Sequence, residues 1–353
     1  MKPEPREAYS PGFWHASWLR FRSYKLGMLG LVIVLFILVV ALFAQALANE
    51  QPLVCRYDGD IYFPALVDTI HTIPLASKVI RKARPFRLAT FDFKAEFRPE
   101  RGDWAVWTPV PFGPREIVAE PLLGPSRNHW LGTDQSGRDL LSRMIHGAGV
   151  SMRVGFISMG IAVVIGLILG SIAGYAGKWP DMVISRIIEI VQCFPVLFLI
   201  LAVLAWFPPR IENVMVVIGL TRWVGIARFS RGEILRIKEA DYASAARSLG
   251  LSRRRIVFLH LLPNAMAPVL VSVTFGIAAA ILVEAALSWL GFGVQPPNPS
   301  WGTILRSGYE NLFTAPHMIP PACIAIFLAV LAFNLVGDAL RDVIDPRLQQ
   351  QTH

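Results

Sequence analysis

Two sets of residues in this sequence have types and spacing that could do chemistry. One is a basic segment at 245–264, AARSLGLSRRRIVFLHLLPN, which holds four arginines and one histidine between two apolar runs. The other is a pair of charges, Arg222 and Glu284, that stand inside apolar runs. Charges at membrane depth are candidates for a substrate pathway, although one acid and one base do not make a proton relay. For Glu284 the alternative is a structural role, in pairing or helix capping near the outer face.

The sequence lacks the motifs of the common enzyme classes. At the stretch AGKWP, Ile172 stands where the first glycine of a phosphate-binding loop belongs, and Trp179 replaces its Ser or Thr. Neither H-E-x-x-H nor G-x-S-x-G occurs. Cys55, Cys193 and Cys323 form no CxxC pair and have no metal-ligand spacing. The sequence therefore predicts a chain that is not an enzyme and that carries no cofactor and no metal.

The composition indicates a membrane protein. Hydrophobic residues make up 54% of the chain and charged residues only 17%, and the mean hydropathy is +0.49. These values are too apolar for an ordinary soluble domain. The net charge of +9 could also fit nucleic-acid binding. Because the chain has long apolar runs, positive loops on the cytoplasmic side are the better explanation, and no nucleic-acid partner is expected.

Apolar runs long enough to cross a bilayer, about 20 residues each, predict six spans in an all-α integral membrane fold. The fourth run is short and contains Arg222, and Pro195 in the third run predicts a kink. The first run resembles a signal peptide but exceeds the roughly 7–15 residues of a cleaved one, so we interpret it as an uncleaved anchor. The spans are predicted at 26–47, 154–176, 187–207, 213–227, 270–294 and 317–336.

The basic residues predict the orientation of these spans. The tail at 1–25 is basic, and eight lysines and arginines lie between 228 and 255. Short loops enriched in this way stay cytoplasmic, so both termini are predicted there. The loop at 48–149 then lies on the outer side and contains strand-like stretches, CRYDGDIYFP and WAVWTPVPFGP. A tolerated insertion and a small folded cap are both open interpretations of this loop.

The basic segment is predicted to divide into two short helices. Asp241 is placed to cap the start of the first, and Gly250 supplies the left-handed residue that ends it. Ser252 is placed to cap the second helix. One face of that second helix is predicted to carry Ile256, Leu259 and Pro263.

The first of these helices carries small side chains. Ala243, Ala245 and Ala246 are predicted to keep one side nearly smooth. A blunt helix followed by a tight turn is suited to docking in a groove on another protein. The alternative is a solvated cytoplasmic loop with ordinary positive charge, and residue types alone leave both open.

The stretch SAARSLGLSRRRIVFLHLLP resembles the EAA loop of ATP-binding-cassette importer permeases, whose pattern is E-A-A, three residues, Gly, nine residues, then I-x-L-P. Ser244 stands where the acid belongs and His260 replaces the isoleucine. Both departures are typical of the peptide-permease branch. The positions that fit the spacing are Ala245, Ala246, Gly250, Leu262 and Pro263.

Further stretches resemble the same branch. LGTDQSGRDLLSRMIHGAGVSMRVG at 131–155 resembles its LGTD-x-x-GRD signature, and EAALSWLGFGVQPPNPSWG at 284–302 resembles its periplasmic signature. LANEQPLVCRYDGDIYFP at 47–64 and WTPVPFG at 107–113 are similar to the enlarged external loop of Yej-type permeases. That type belongs to importers of oligopeptides and the peptide-nucleotide antibiotic microcin C.

The resemblance implies a type I importer permease fold in the bacterial inner membrane. The implied layout is a cytoplasmic tail at 1–25, a first transmembrane helix at 26–47 and a periplasmic loop at 48–149. A permease domain follows at 150–340, with its EAA loop at 228–263, before a cytoplasmic tail at 341–353. The implied partners are a homologous second permease, two ATP-binding subunits, a periplasmic solute-binding protein, a peptide substrate and membrane lipid.

The resemblance also implies which residues couple the chain to the ATPases. For Tyr242 the alternative is burial against its own chain. Other cargo in the same class, namely dipeptides, nickel or haem, stays open. An ATP-independent channel or secondary transporter would require paired intramembrane acids or inverted repeats, which the sequence does not contain. The implied coupling residues are Tyr242, Ser244, Ala245, Ala246, Arg247, Gly250, His260 and Pro263.

Overall fold

The computed structural model describes residues 13–57, 60–65, 94, 103–208 and 210–344. Most of these residues are helical. Apolar runs form helices because a helix satisfies all of its own backbone hydrogen bonds, which hydrocarbon requires. In chain order the helices are α1 (Phe13–Ser23), α2 (Lys25–Leu42), α3 (Ala44–Leu47), α4 (Leu140–Ala176), α5 (Lys178–Gln192), α6 (Val196–Leu204), α7 (Ile211–Ile237), α8 (Asp241–Ser248), α9 (Arg253–Arg255), a π-helix (Ile256–Leu261), α10 (Leu262–Leu290), α11 (Trp301–Glu310), a 3₁₀ turn (Pro316–Met318) and α12 (Ile319–Ile344).

Fewer helices qualify as membrane spans than the sequence predicts. Among the described residues, four are long and apolar enough: α2, α4, the Pro268–Leu290 part of α10, and Pro316–Ile344. The predicted third span is broken, since α5 and α6 meet at an angle of 86°. Counting that pair as one span gives up to five. The count of six therefore stays a prediction.

Physical reasons account for both differences. Pro195 stands at the break between α5 and α6, where it provides no N–H for a continuing helix. The predicted fourth span, 213–227, lies inside the 27-residue helix α7. That helix is too polar to qualify because it carries Glu212, Arg222, Arg228, Arg231, Glu233 and Arg236.

A tightly packed pair of helices, α4 and α7, forms the centre of the bundle. A Cβ at Gly166 would approach the Ile226 Cβ to 2.6 Å, and one at Gly174 would approach the Arg231 carbonyl to 2.9 Å. The Ser230 hydroxyl donates to the Gly166 carbonyl at 3.1 Å. The glycines spaced by four residues on α4 thus allow the two backbones to approach closely.

The largest apolar cluster joins seven helices. It contains Val34 of α2, Met159 of α4, Trp223 of α7, Ile281 of α10 and Phe333 of α12. The same helices also carry large apolar side chains that are exposed, among them Phe36, Val164 and Phe327. Apolar residues on the outside as well as the inside are expected of a helix bundle surrounded by lipid.

The segment at 48–139, between α3 and α4, contains a small antiparallel sheet among its described residues. Its strands are β1 (Val54–Tyr57), β2 (Asp60–Tyr62) and β3 (Trp104–Val106), in the order β2-β1-β3. Cys55 pairs with Tyr62 on one side and Ala105 on the other, and its side chain is buried. Both strand-like stretches of the sequence therefore form strands. The middle of the 48–149 loop lies outside the described residues.

α4 begins at Leu140, before the domain boundary predicted at 149, and is 37 residues long. At 1.5 Å per residue this is about 55 Å, well beyond the roughly 30 Å hydrocarbon core. The first turns of α4 hold the segment at 48–139 in place. Arg143 contacts Asp134 at 3.1 Å and donates to the Pro114 carbonyl at 3.0 Å. The Ser142 hydroxyl donates to the Phe112 carbonyl at 2.8 Å.

Candidate functional site

The basic segment begins with the short helix α8. Its N-cap is Ala240, which has an extended backbone and makes no side-chain capping bond. The prediction that Asp241 is the cap was wrong by one residue. The Ala240 carbonyl already accepts from the Ser244 N–H at 3.0 Å, which places Asp241 in the first turn. There its charge favours the helix through the dipole rather than through a capping bond.

The end of α8 is closed by backbone hydrogen bonds. Gly250 has a φ of +74°, the left-handed conformation that the sequence predicts. The Leu251 N–H donates to the Ala246 carbonyl at 3.2 Å, and the Gly250 N–H donates to the Arg247 carbonyl at 3.0 Å. This pair of bonds is the Schellman arrangement, so α8 ends abruptly at a fixed turn.

The two sides of α8 face different surroundings. Ala243 and Ala246 are 1% and 5% exposed and pack in a cluster with Ile234, Ile237 and Ile256. The alanines therefore do not form one smooth outer side as predicted, because positions three apart face the protein while Ala245 between them faces out. Ala246 therefore belongs to the buried side of α8. We call this buried side, with the residues packed against it, the seat of α8.

Several predicted coupling residues do lie on the outer side of α8. Tyr242 is 42% exposed, which argues against its burial within its own chain. Ser244, Ala245 and Arg247 are also exposed. The Arg247 guanidinium donates to the Lys238 carbonyl at 2.9 Å and to the Ser244 hydroxyl at 3.0 Å, which fixes the turn before α8 against the helix.

The second helix of the segment differs from its prediction beyond its first turn. The Ser252 hydroxyl accepts from the Arg255 N–H at 3.4 Å, so it caps α9 as predicted. The chain then forms a π-helix, in which Ile256 is buried and Leu259 is 61% exposed. The single face predicted for Ile256, Leu259 and Pro263 was wrong, because a wider turn changes the angle between successive side chains.

The remaining two predicted residues lie where the segment joins α10. Pro263 stands in the first turn of α10, where a missing N–H is tolerated. The His260 carbonyl accepts from the Asn264 amide at 2.7 Å, while the His260 side chain is half-buried. Neither side chain belongs to the exposed side of α8.

Contacts connect the seat of α8 to the ends of the spanning helices. Ile234 and Ile237 lie in the last turns of α7. Leu261 and Ala265 lie where the chain enters α10. The Lys238 ammonium donates to the Gly174 carbonyl of α4 at 3.2 Å. These contacts place α8 against the ends of α7 and α10, and the turn before α8 against the end of α4.

The two intramembrane charges do not meet. Glu284 is fully buried and accepts from the Ser288 hydroxyl at 2.7 Å and from the Ser151 hydroxyl at 3.1 Å. The Ser300 hydroxyl lies 3.5 Å from that of Ser288 and caps α11. Within the described part of the chain, the Arg222 Nε is buried without a hydrogen-bond partner.

Sequence reasoning missed the serines around Glu284. A lone serine in an apolar run has no distinguishing pattern, and Ser151 and Ser300 lie far from Glu284 in sequence. Only Ser288 could have been found, since residues four apart share a helix face. The network joins α4, α10 and α11, which supports the structural interpretation of Glu284.

No group of three His, Cys, Asp or Glu residues among those described could hold a metal ion. The site is instead a surface helix with a small exposed face and a buried seat. Such an exposed helix face is available for contact with another protein.

Two family models match parts of this chain. The family model of the binding-protein-dependent transport system inner membrane component matches residues 166–350. A model of the N-terminal TM domain of oligopeptide transport permease C matches residues 12–63.

Curated relatives cover most of the chain. The inner membrane ABC transporter permease protein YejE of Escherichia coli is 34% identical over 94% of this chain and 96% of its own length. The oligopeptide transport system permease protein OppC of Bacillus subtilis is 30% identical over 97% of this chain and 92% of its own. The dipeptide transport system permease protein DppC of Alkalihalophilus pseudofirmus is 40% identical over 65% of this chain and 75% of its own length.

Among solved structures, an inward-facing structure of the MetNI methionine ABC transporter is similar over 58% of this chain and 98% of its own chain. The sequence identity is 20% and the TM-score 0.49.

Proposed function

We propose a transport function on the premise that this chain belongs to the family of binding-protein-dependent transport system inner membrane components, the non-catalytic permease subunits of ATP-binding-cassette importers. The chain is accordingly a multi-pass membrane protein. In our proposal it forms half of a translocation pore in the bacterial inner membrane. A homologous permease supplies the other half, two ATP-binding subunits drive it, and a periplasmic solute-binding protein delivers the cargo.

Oligopeptides are the proposed cargo. The relatives named for dipeptide transport have higher identity but match about two thirds of this chain. The relatives YejE and OppC match it nearly end to end, so their similarity includes the region of the external loop. Microcin C-like peptides are the narrower proposal, and dipeptides, nickel and haem are the alternatives.

Six spans with both termini in the cytoplasm are the proposed topology. The bent pair α5–α6 serves as the third span and α7 as the fourth. Packing supports a place for α7 inside the bundle, because Trp223, Val224, Ile226 and Ala227 all belong to the largest apolar cluster. A helix surrounded by other helices can carry charges that lipid contact would not tolerate.

Coupling to ATP hydrolysis is the proposed role of α8. The observation that carries this proposal is the division of α8 into a buried seat and an exposed face, with its C-terminal end fixed by the Gly250 turn. The exposed face, with Tyr242, Ala245 and Arg247, docks in a groove on an ATP-binding subunit. Closure of the two ATPases then moves α8, and the seat passes this motion to α7 and α10.

Cysteine cross-linking of the full assembly tests the docking. Ala245→Cys, on the exposed face, is expected to cross-link to a cysteine introduced in the ATPase groove and to respond to ATP. Ala243→Cys is the matched control, since the same change lies in the seat. Equal cross-linking at both positions, or none at Ala245→Cys in an assembly that hydrolyses ATP, contradicts the docking of α8.

Transport itself is tested in proteoliposomes that contain both permeases and the ATPases, with the binding protein outside. ATP-dependent accumulation of oligopeptides is the expected result. Accumulation without ATP would favour a channel or secondary transporter instead. Hydrolysis of ATP without oligopeptide entry would keep the importer class and reject the cargo.

A further inference from the structure

An apolar groove of about 330 Å³ lies on the side of the bundle, between the last turns of α4 and the segment that leads into α10. We call it the α4 groove. Its α4 wall runs from Leu167 to Ala176, and its opposite wall includes Arg253, Val257 and Phe258. Ile168, Ile172 and Phe258 are 50%, 44% and 61% exposed, so the groove opens to the outside of the chain.

The length of the α4 groove matches one leaflet of a bilayer. Nine residues separate Leu167 from Ala176 on a continuous helix, which corresponds to about 13–14 Å at 1.5 Å per residue. Half of the hydrocarbon core is about 15 Å thick. An acyl chain lying along Ile168 and Ile172 would therefore remain within the depth of its own leaflet.

Unneutralised positive charge marks one end of the groove. The Arg253 side chain lines it and is exposed. No carboxylate pairs with this guanidinium in the part of the chain that the structure describes. An anionic group at this end would complement the charge.

A buried hydroxyl on the groove wall points to a polar group deeper inside. Ser171 lines the groove and is 6% exposed, and within the described residues its Oγ has no hydrogen-bond partner. Buried hydroxyls are normally bonded. Ser171 lies five residues from Ala176, or about 7–8 Å deeper along α4. That is the level at which the glycerol esters of a phospholipid lie beneath its phosphate.

We propose that the α4 groove binds one anionic phospholipid of the surrounding leaflet. The phosphate contacts Arg253, an ester carbonyl accepts from the Ser171 hydroxyl, and one acyl chain covers Ile168, Ile172 and Phe258. The lipid then braces α9 and the π-helix, which follow directly on the Gly250 turn. This proposal depends neither on the cargo nor on the docking of α8.

The experiment counts phosphatidylglycerol bound to the purified full assembly by native mass spectrometry during a titration. Arg253→Gln is expected to weaken binding about fivefold, the effect of about one basic residue at a lipid surface. Arg255→Gln is the matched control, because it removes the same charge from an exposed neighbour that does not line the groove. Equal losses in both variants would mean nonspecific surface attraction and would overturn the site.

A second pair of variants tests the groove without changing charge. Ile172→Trp fills the groove and is expected to abolish the bound lipid, whereas Ile157→Trp, at a similarly exposed isoleucine of α4 outside it, is expected to leave binding unchanged. Equal binding by both variants overturns the proposal. So does equal binding of zwitterionic phosphatidylethanolamine. Binding to the isolated chain but not to the assembly would show that another subunit occupies the groove, and would also overturn it.

Discussion

At the residue scale, Gly250 determines how α8 ends. Its positive φ is needed for the turn, and a Cβ there would meet no atom within 4 Å. The cost of a side chain is therefore conformational, about 1–2 kcal/mol for an ordinary L-residue in this region. Steric clash does not add to it, so the effect of charge can be separated from the effect of shape.

Gly250→Asp is expected to abolish ATP-dependent uptake while the chain remains in the membrane, because a negative charge enters the proposed docking face. Gly250→Asn is the matched control, since asparagine also tolerates the left-handed region and adds no charge. Uptake would be compared in proteoliposomes, with immunoblots of the membrane fraction. Normal uptake by Gly250→Asp would contradict the assignment of this turn to docking.

In contrast to the exposed Gly250, Glu284 is a charged residue buried within its own chain. Glu284→Gln keeps an acceptor for a serine hydroxyl and is expected to change stability little. Glu284→Ala removes the acceptor of the Ser151 and Ser288 hydroxyls and is expected to lose about 1–3 kcal/mol. Thermal unfolding in detergent checks both. If Glu284→Gln instead abolished uptake without changing stability, Glu284 would belong to the substrate pathway.

At the element scale, close approach of helices determines the shape of the bundle. Packing of α4 against α7 requires bare positions on α4, and packing of α8 against α7 and α10 requires Ala243 and Ala246 on the inner side. Small residues therefore have the same role in both places. They allow neighbouring backbones to approach closely.

Gly170→Ala tests this packing. A Cβ there would collide with the Ser230 hydroxyl and approach the Ala227 carbonyl to 2.5 Å, so a loss of about 1–3 kcal/mol is expected from overpacking. Gly160→Ala is the matched control, because it lies on the same helix with no atom within 4 Å. Thermal unfolding of the two variants should differ in sign, since alanine favours a helix over glycine.

At the scale of the whole molecule, the basic segment and the segment at 48–139 lie near opposite ends of α4. Lys238 bonds to Gly174 near one end, and Ser142 and Arg143 hold the segment at 48–139 at the other.

Burial, followed by the charge of Asp103, raises the pKa of the Cys55 thiol to about 11. Cys55 is therefore expected to stay protonated and unreactive toward maleimides near neutral pH.

Two exposed positions test the sidedness of the molecule. In a variant whose three cysteines are serines, Leu249→Cys is expected to react with an impermeant maleimide only after the cytoplasmic side is opened. Phe313→Cys should react from the outside. These side chains are 80% and 99% exposed, so access is not limited by packing. The reverse labelling pattern would invert the proposed topology.

The class of the protein and its local turns follow from the sequence alone. These features are the apolar runs, the Gly250 turn and the Ser252 cap. Each depends on residues within a few positions of each other, so it can be predicted from the order of the residues. The family resemblance likewise rests on contiguous motifs. The same local reasoning failed by one residue at Asp241, because helix boundaries depend on backbone bonds rather than on residue type alone.

Only the tertiary structure decided which residues face inward. Ala243 and Ala246 are buried while Ala245 is exposed, although all three are the same residue. The contacts that bring Ser151 and Ser300 to the network around Glu284 likewise join residues distant in sequence. The physical reason is that a residue becomes buried only when another surface covers it. That surface usually comes from another part of the chain.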